Sequence, residues 1–215
     1  MRRIVLYLLV LIASQSCVAQ KNKNMKTNDR FDYEYYQRKI GKDKIDCEVY
    51  REPDGTLVEI FISHDENSVY MIEPMTFVEH IRNYYKSNIL KKEGYFFYCS
   101  SVKVGPWKEY DEKGNLIKET DESAKFEKLA MKPIDVLRWM EKQGWLNLTT
   151  GEGQQTYFSN NPFRISFVPN NKSNYKGNTH AKWCINKNEM YGYETFLLDA
   201  ETKELIYQGK TFMEE

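Results

Sequence analysis

The 215-residue sequence lacks an excess of charge of either sign. It contains 31 lysine and arginine residues against 31 acidic ones, so it gives no electrostatic reason to expect nucleic acid or an anionic membrane surface as a partner. Beyond residue 19 it has no apolar run of the about 20 residues needed to span a bilayer. We therefore expect a globular chain that meets a membrane only through an attached lipid.

The sequence also lacks the short motifs that mark common active sites. It has no G-x-S-x-G elbow, no H-E-x-x-H, no C-x-x-C, and no phosphate-binding lysine after Gly151. His180 and Cys184 are four residues apart, which on a strand places them about 13 Å apart, too far for a nucleophile and its base. His64 and His80 have no partner at a metal-ligand spacing. We predict no catalytic residue, no metal site and no cofactor, so the chain is not expected to be an enzyme. A hydrolase with a dispersed pair of carboxylates is the alternative.

The first 19 residues have the pattern of a secretory signal peptide. Two arginines precede an apolar run from Ile4 to Ile12, and a small-residue segment from Ala13 to Ala19 follows. Cleavage after Ala19 gives a soluble product, whereas cleavage before Cys17 gives a cysteine that can carry a lipid. We predict export to the periplasm, or lipid anchoring through Cys17 at the outer membrane or cell surface.

Few cysteines remain after that segment. Cys47, Cys99 and Cys184 all lie in apolar, strand-like surroundings. An oxidising compartment permits one disulfide among them, and the spacing does not select the pair. We expect buried free thiols, and one disulfide is the alternative.

Three segments predict β-hairpins. They are VYREPDGTLVEI near Cys47, GPWKEYDEKGNLIKE in the middle and LLDAETKELIYQG near the end. Each joins two strand-like ends through an acidic turn of four to six residues. The expected fold class is α+β, with an antiparallel sheet of hairpins and meanders and two main supporting helices.

Two segments carry the main helix predictions. The segment from Pro74 to Asn88 contains a T-x-x-E capping box and an apolar face. The segment from Pro133 to Gln143 begins with proline at its first helical position and is followed by Gly144 as a cap. Shorter helices are expected near 28–39 and 123–131, and a long polar loop over 169–179.

The order of these elements predicts a division of the chain. Residues 1–19 form the signal peptide, and residues 20–40 form a polar tether with a short helix. An N-terminal hairpin lobe spans 41–122, and a C-terminal lobe of one helix and a β-meander spans 123–215. A single domain with two similar halves is the alternative.

The middle hairpin resembles a MORN-type repeat. Gly105, Trp107, Tyr110, Gly114 and Leu116 match its G-x-W-x-x-Y strand, turn and following strand. The resemblance covers about 15 residues, or one repeat. Bacterial proteins with such repeats are often labelled antitoxins or have no assigned function, so it implies little about activity.

The C-terminal part, from Pro133 to Gly209, is similar to a PepSY-type module. That family often ends in a strand pair around D-A-x-T-G-E-L, and the segment from Asp199 to Leu205 follows the pattern with Lys203 in place of glycine. The resemblance implies a periplasmic binding or inhibitory role rather than catalysis.

Aromatic content indicates how the protein works. The chain has 16 tyrosines, and tyrosine supplies large contact areas at small entropic cost. We predict a non-enzymatic binding protein of immunity or inhibitor type, whose partner is another envelope or secreted protein. A lipid-anchored structural protein is the alternative. The predicted contact residues are Tyr175, Tyr191, Tyr193, Trp183, Trp107 and Tyr110.

Overall fold

The computed structural model describes residues 26–43, 45–154 and 161–212. These residues form two antiparallel sheets and two short helices. The prediction of a mainly antiparallel α+β chain is confirmed, with little helix. The signal peptide and Cys17 lie outside the described residues. Within the described part, no helix is long and apolar enough to cross a membrane.

The first sheet is a seven-stranded meander in which each strand pairs with its neighbours in the chain. Short turns bring each strand back beside the one before, which is the simplest way to build an antiparallel sheet. Its strands are β1 (Cys47–Arg51), β2 (Leu57–Ile62), β3 (Glu66–Ile72), β4 (Val78–Tyr85), β5 (Leu90–Phe97), β6 (Lys103–Tyr110) and β7 (Leu116–Asp121).

The second sheet is a four-stranded meander that follows a helix. Helix α1 (Tyr33–Ile40) precedes the first sheet, and helix α2 (Pro133–Lys142) lies between the two sheets in the chain. The strands of the second sheet are β8 (Phe163–Val168), β9 (Lys182–Glu189), β10 (Gly192–Asp199) and β11 (Leu205–Phe212).

The three predicted hairpins are confirmed as the pairs β1–β2, β6–β7 and β10–β11. Their turns place one residue at positive φ: Gly55 at 94°, Gly114 at 82° and Lys203 at 68°. Glycine adopts this conformation without strain, whereas lysine does so at a cost. Lys203 therefore takes the left-handed conformation that the missing turn glycine would have taken.

The predicted helix from Pro74 to Asn88 is wrong. Strand β4 occupies most of it, paired with β3 and β5 on both sides. Met75 and Phe77 have positive φ values of 63° and 51°, which a helix does not contain. The hydroxyl of Thr76 donates to the carbonyl of Glu73 instead of capping a helix. Pairing with two neighbouring strands outweighs local helix propensity here.

The other predicted helices are confirmed to different extents. Helix α2 begins at Pro133 as expected. Helix α1 begins later than Asn28, because the Asp32 side chain accepts from the Tyr35 N–H and caps it there. Residues 123–131 contain only a 3-10 turn, Ala124–Phe126. The chain turns between β5 and β6, where Cys99 has a φ of 52°.

Cys47, Cys99 and Cys184 are free thiols. Cys99 lies close to Asn161, whose side-chain amide donates to its sulfur over 2.7 Å. Burial raises the pKa of Cys99 to about 12 and also raises that of Cys184. Both thiols are therefore protonated at neutral pH. Because the thiolate is the reactive form of cysteine, these two side chains serve as packing groups rather than as nucleophiles.

Two apolar cores hold the elements together. One lies between α1 and one face of the first sheet, around Ile60 and Val69, which are fully buried. The other joins α2 and the second sheet to the end of the first sheet, where the rings of Phe97 and Trp183 are 5.4 Å apart. In the chain, the first sheet ends before residue 122 and the second sheet begins after it. The second core contains residues from both sheets. The division into two lobes stays a prediction.

Candidate functional site

One face of the first sheet carries polar and aromatic side chains across its middle strands. Strand pairing aligns His80 with Met71 and Tyr95 on one row, and Arg82 with Val69 and Glu93 on the next. Because side chains of a strand alternate between faces, His80 and Arg82 lie side by side on the same face.

Helix α1 forms a wall beside these rows and completes a cavity of about 520 Å³. We call this cavity the tyrosine groove, because four tyrosines line it. It is lined by Tyr35, Tyr36, Tyr50, Glu52, Asp54, Thr56, Val58, Met71, Glu73, Thr76, Val78, His80, Arg82 and Tyr95.

Arg82 is the positive centre of the groove. Its side chain is 34% exposed, and its guanidinium lies 3.5 Å from the carboxylate of Asp29. Among the described residues its Nε atom is buried without a hydrogen-bond partner. Arg82 also contacts the side chain of Tyr84 and lies near Glu93. A partly exposed guanidinium whose ion pair with Asp29 is loose retains donors for a ligand carboxylate.

Aromatic rings surround that centre. The ring of His80 stacks on Tyr95 with centroids 4.7 Å apart. Burial lowers the pKa of His80, and the charge of Arg82 lowers it further. Burial likewise raises the pKa of Tyr36 to about 12, although Arg82 opposes this. At neutral pH the groove therefore presents a neutral imidazole and an un-ionised phenol beside one cation.

Glu52, at the acidic rim of the groove, accepts hydrogen bonds from neighbouring side chains of the same chain. Glu52 accepts from Lys39 over 2.7 Å and from the hydroxyls of Tyr35 and Tyr50 over 3.1 Å. The bond from Lys39 lowers the pKa of Glu52, so this carboxyl is ionised at neutral pH. These bonds fix two of the four tyrosines in place.

An apolar cavity of about 360 Å³ adjoins the tyrosine groove. The two cavities share Thr76 and Val78, so they adjoin, and we call the pair the depression. The apolar cavity lies between the first sheet, the 3-10 turn and α2. It is lined by Thr76, Val78, Phe97, Val104, Ser123, Phe126, Glu127, Lys132, Pro133, Ile134 and Leu137.

The six predicted contact residues do not form one surface. Trp107, Tyr110 and Trp183 are at most 4% exposed, so they serve the core. Trp107 covers Gly94, and Trp183 is fully buried. Their burial follows from the strand pairing, which turns these large rings inward.

The other three predicted contact residues reach solvent in two places. Tyr191 is 68% exposed at the turn between β9 and β10, and Tyr193 follows it on β10. Tyr175 lies in the predicted long loop, where its ring is 5.8 Å from that of Tyr207. The tyrosine groove contains none of them.

His180 follows the long loop and Lys182 is the first residue of β9, and both hold the loop in place. Lys182 is 4% exposed and donates to the carbonyls of Asn178 and His180, and to the hydroxyl of Ser173. These three oxygens fix the position of its ammonium group. The Nδ1 atom of His180 lies 2.8 Å from buried Asp199. These bonds order the loop.

The described residues contain no group of three or more metal-ligating side chains. His64 is fully exposed and bonds only to Asp65, its neighbour in the chain. His180 pairs with Asp199 rather than with Cys184, whose sulfur lies 3.9 Å from Asn186.

The residues of the tyrosine groove were missed from the sequence for one reason. The apolar positions of the segment from Pro74 to Asn88 fit a helix, on which His80 and Arg82 point in different directions. In the strand that actually forms, both side chains share a face. The residue types of VEHIRNYY do not alternate in polarity, because the polar Glu79 and Asn83 are buried, so the segment carried no strand signal.

Searches against protein-family models, curated proteins and solved structures find no match to this chain. The site is therefore interpreted from its own geometry.

Proposed function

We propose that this chain is an exported, non-enzymatic binding protein whose tyrosine groove holds an extended segment of another envelope or secreted protein. The observation that carries the proposal is the depression. A groove with four tyrosines and one arginine adjoins an apolar cavity, and the two share Thr76 and Val78 as lining residues.

The composition of the depression favours a protein segment as its ligand. Tyrosine and arginine are the residues enriched at protein interfaces, and a few of them carry most of the binding energy. Here they stand on strands and on α1, so little entropy is lost when they make contact.

The layout predicts the order of side chains in the ligand. Arg82 pairs with an acidic side chain, which lies beside the His80–Tyr95 stack. One or two residues further along, an aliphatic side chain fills the space between Val104 and Leu137. Charge selects the ligand at one end, and apolar burial adds affinity at the other.

The charges of the groove fit binding better than catalysis. Glu52 is held ionised by Lys39 and by two tyrosines, so it has no proton to donate as a general acid. An immunity or inhibitor role suits such a fixed contact surface. The hydrolase alternative would use Asp54 and Glu73, which also line the groove. Of these two, Asp54 accepts from the Thr56 N–H within its own turn.

The proposal is tested with a phage-displayed library of random linear peptides. The exported chain is the bait, and Val78→Arg is the blocking variant because Val78 joins the two cavities. Ile117→Arg is the matched control, since Ile117 is 54% exposed on the edge strand β7.

We expect enriched peptides with an acidic residue one or two positions from an aliphatic one. Binding falls at least about tenfold in Val78→Arg, which is typical of losing one interface anchor, and is unchanged in Ile117→Arg. Peptides that bind Val78→Arg as tightly as the unchanged chain would place the ligand elsewhere.

The mode of attachment is a separate part of the proposal. Cleavage after Ala19 releases the chain, whereas cleavage before Cys17 anchors it by lipid. Intact-mass analysis of the exported chain distinguishes the two, because an acylated Cys17 adds the mass of its acyl chains.

A further inference from the structure

Charge is distributed unevenly across the tyrosine groove. Arg82 lies on β4, whereas three carboxylates line the side of the groove that the ends of β1, β2 and β3 form. They are Glu52, Asp54 and Glu73. Lys39 bonds to Glu52 over 2.7 Å and offsets its charge. Asp54 and Glu73 therefore supply the negative charge on this side of the groove.

The pairing of β2 with β3 brings these two carboxylates to the same end of the sheet. Leu57 lies opposite Ile72, and extending this register by one residue places Thr56 opposite Glu73. The N–H of Thr56 donates to Asp54 over 2.9 Å and lowers the pKa of Asp54. Within the described residues the carboxylate of Glu73 forms no hydrogen bond or ion pair. It retains all its acceptor capacity for a ligand.

Arg51 is the cation beside this acidic side, and it lies outside the groove. Tyr50 lines the groove, so the alternation of side chains places Arg51 on the opposite face of β1. Arg51 and Asp54 line a separate cavity, and the guanidinium of Arg51 donates to the carbonyl of Gly55. Glu73 does not line that cavity. Its charge is therefore directed to the groove.

The strand register gives the distance between the two charged sides. Val69 pairs with Arg82, and Glu73 comes four residues after Val69. At about 3.3 Å per residue, the backbones of Glu73 and Arg82 are about 13 Å apart along the strand direction. About four residues of an extended ligand cover the same distance.

The order of the strands sets the order of chemistry across the depression. Glu73 follows β3, which lies on one side of β4. Phe97 on β5 and Val104 on β6 line the apolar cavity on the other side. Arg82 on β4 lies between them. A ligand that runs across the strands therefore meets a negative region, a positive region and an apolar region in turn.

We propose that the segment held by the depression carries a basic, an acidic and an aliphatic side chain in that order, with the basic one about four residues from the acidic one. This inference rests on the proposed function and specifies its partner. The basic group of the ligand pairs with Glu73, with Asp54 beside it, while Arg82 pairs with the acidic group. Two opposite charges at separate points fix the register of the ligand, because a shifted segment places like charges together.

The test uses the peptides that the unchanged chain enriches from the random linear library. Glu73→Lys reverses the charge of the acidic side. Glu112→Lys is the matched control, since Glu112 is exposed in the turn between β6 and β7 and lines neither cavity. Fluorescence polarisation measures the Kd of one enriched peptide, and of the same peptide with its basic residue replaced by glutamate. Circular dichroism checks that both variants are folded.

We expect enriched peptides to carry lysine or arginine about four positions from their acidic residue. Glu73→Lys raises the Kd of such a peptide about tenfold, because a like-charge pair replaces an opposite-charge pair. Glu112→Lys leaves the Kd within about twofold. The glutamate version of the peptide binds Glu73→Lys to within about threefold of the original pair, since the charges are then exchanged.

The failure of this inference is distinguishable from the failure of the proposed function. Enriched peptides that share an acidic and an aliphatic residue but no basic one overturn the inference alone. Equal Kd values in Glu73→Lys and Glu112→Lys do the same. A chain that enriches no peptide, or peptides that bind Val78→Arg as tightly as the unchanged chain, overturn both proposals.

Discussion

At the residue scale, Asp199 supports the last hairpin and the long loop together. Its buried carboxylate accepts from the side chains of Asn178 and His180, and from the backbone N–H groups of Glu201 and Thr202. Burial alone would raise its pKa, but these bonds outweigh burial and lower it to about 2. The ionised form is therefore part of the fold.

Asp199→Asn is expected to lower the free energy of unfolding at pH 7 by about 2 kcal/mol, because the amide cannot accept all four bonds. Urea unfolding followed by tryptophan fluorescence measures this loss. Asp54→Asn is the matched control, since Asp54 is an exposed turn carboxylate with bonds only to Thr56.

The same carboxylate predicts a pH dependence. The pKa of Asp199 is below its ordinary value of 3.8 in the folded chain, so folding favours the ionised form. Its contribution to stability is complete above about pH 4 and is lost as the pH falls toward 2. In Asp199→Asn this part of the stability–pH curve is flatter. A curve that keeps its full slope in the variant contradicts the role given to Asp199.

Gly94 is the second residue for which the structure predicts a large loss of stability on substitution. A Cβ atom at this position would lie 2.2 Å from the ring of Trp107, which is 3% exposed and donates its indole N–H to the carbonyl of Tyr95. Gly94→Ala is expected to destabilise the chain by about 3 kcal/mol through overpacking. Thermal unfolding measures it, and an unchanged midpoint would show that the ring moves freely.

At the element scale, helix α1 positions Tyr35 and Tyr36 in the groove while burying no residue completely. Its first turn depends on Asp32, whose carboxylate accepts from the Tyr35 N–H over 2.9 Å. Asp32→Ala is expected to cost about 1 kcal/mol in the stability of α1. Hydrogen exchange across residues 33–40 measures it. Asp32→Ser keeps a capping oxygen and should retain protection, and equal exchange in the two variants contradicts the cap.

An element was predictable from the sequence when the residues that specify it are close together in the chain. The three hairpins were predictable because an acidic turn and two flanking strand ends are all local. Helix α2 was predictable for the same reason, with Pro133 at its start. Strand β4 was not, since its pairing with β3 and β5 leaves no mark on the residue types of the strand itself, whose apolar positions also fit a helical face.

At the scale of the whole molecule, the tyrosine groove and the adjoining apolar cavity arise from three parts of the chain that no local pattern connects. Helix α1, strands β1 to β5 and the start of α2 meet only in the folded state. The sequence therefore predicts an aromatic binding protein but indicates none of the residues of the tyrosine groove. Trp107, Tyr110 and Trp183 were chosen for their residue type, and the fold uses these rings for its core.

The most direct test of the groove is photo-crosslinking in the cell that exports the chain. Benzoylphenylalanine replaces Tyr35, which lines the groove, or Tyr191, which is exposed at the β9–β10 turn. Both positions are exposed tyrosines, so the replacement is matched. Adducts are identified by mass spectrometry, and adducts between two copies of this chain are counted separately.

We predict an adduct with one envelope or secreted protein from the Tyr35 position, none with it from the Tyr191 position, and loss of the adduct when Val78→Arg is added. An adduct from Tyr191 alone, or one from Tyr35 that persists in Val78→Arg, would contradict binding in the groove.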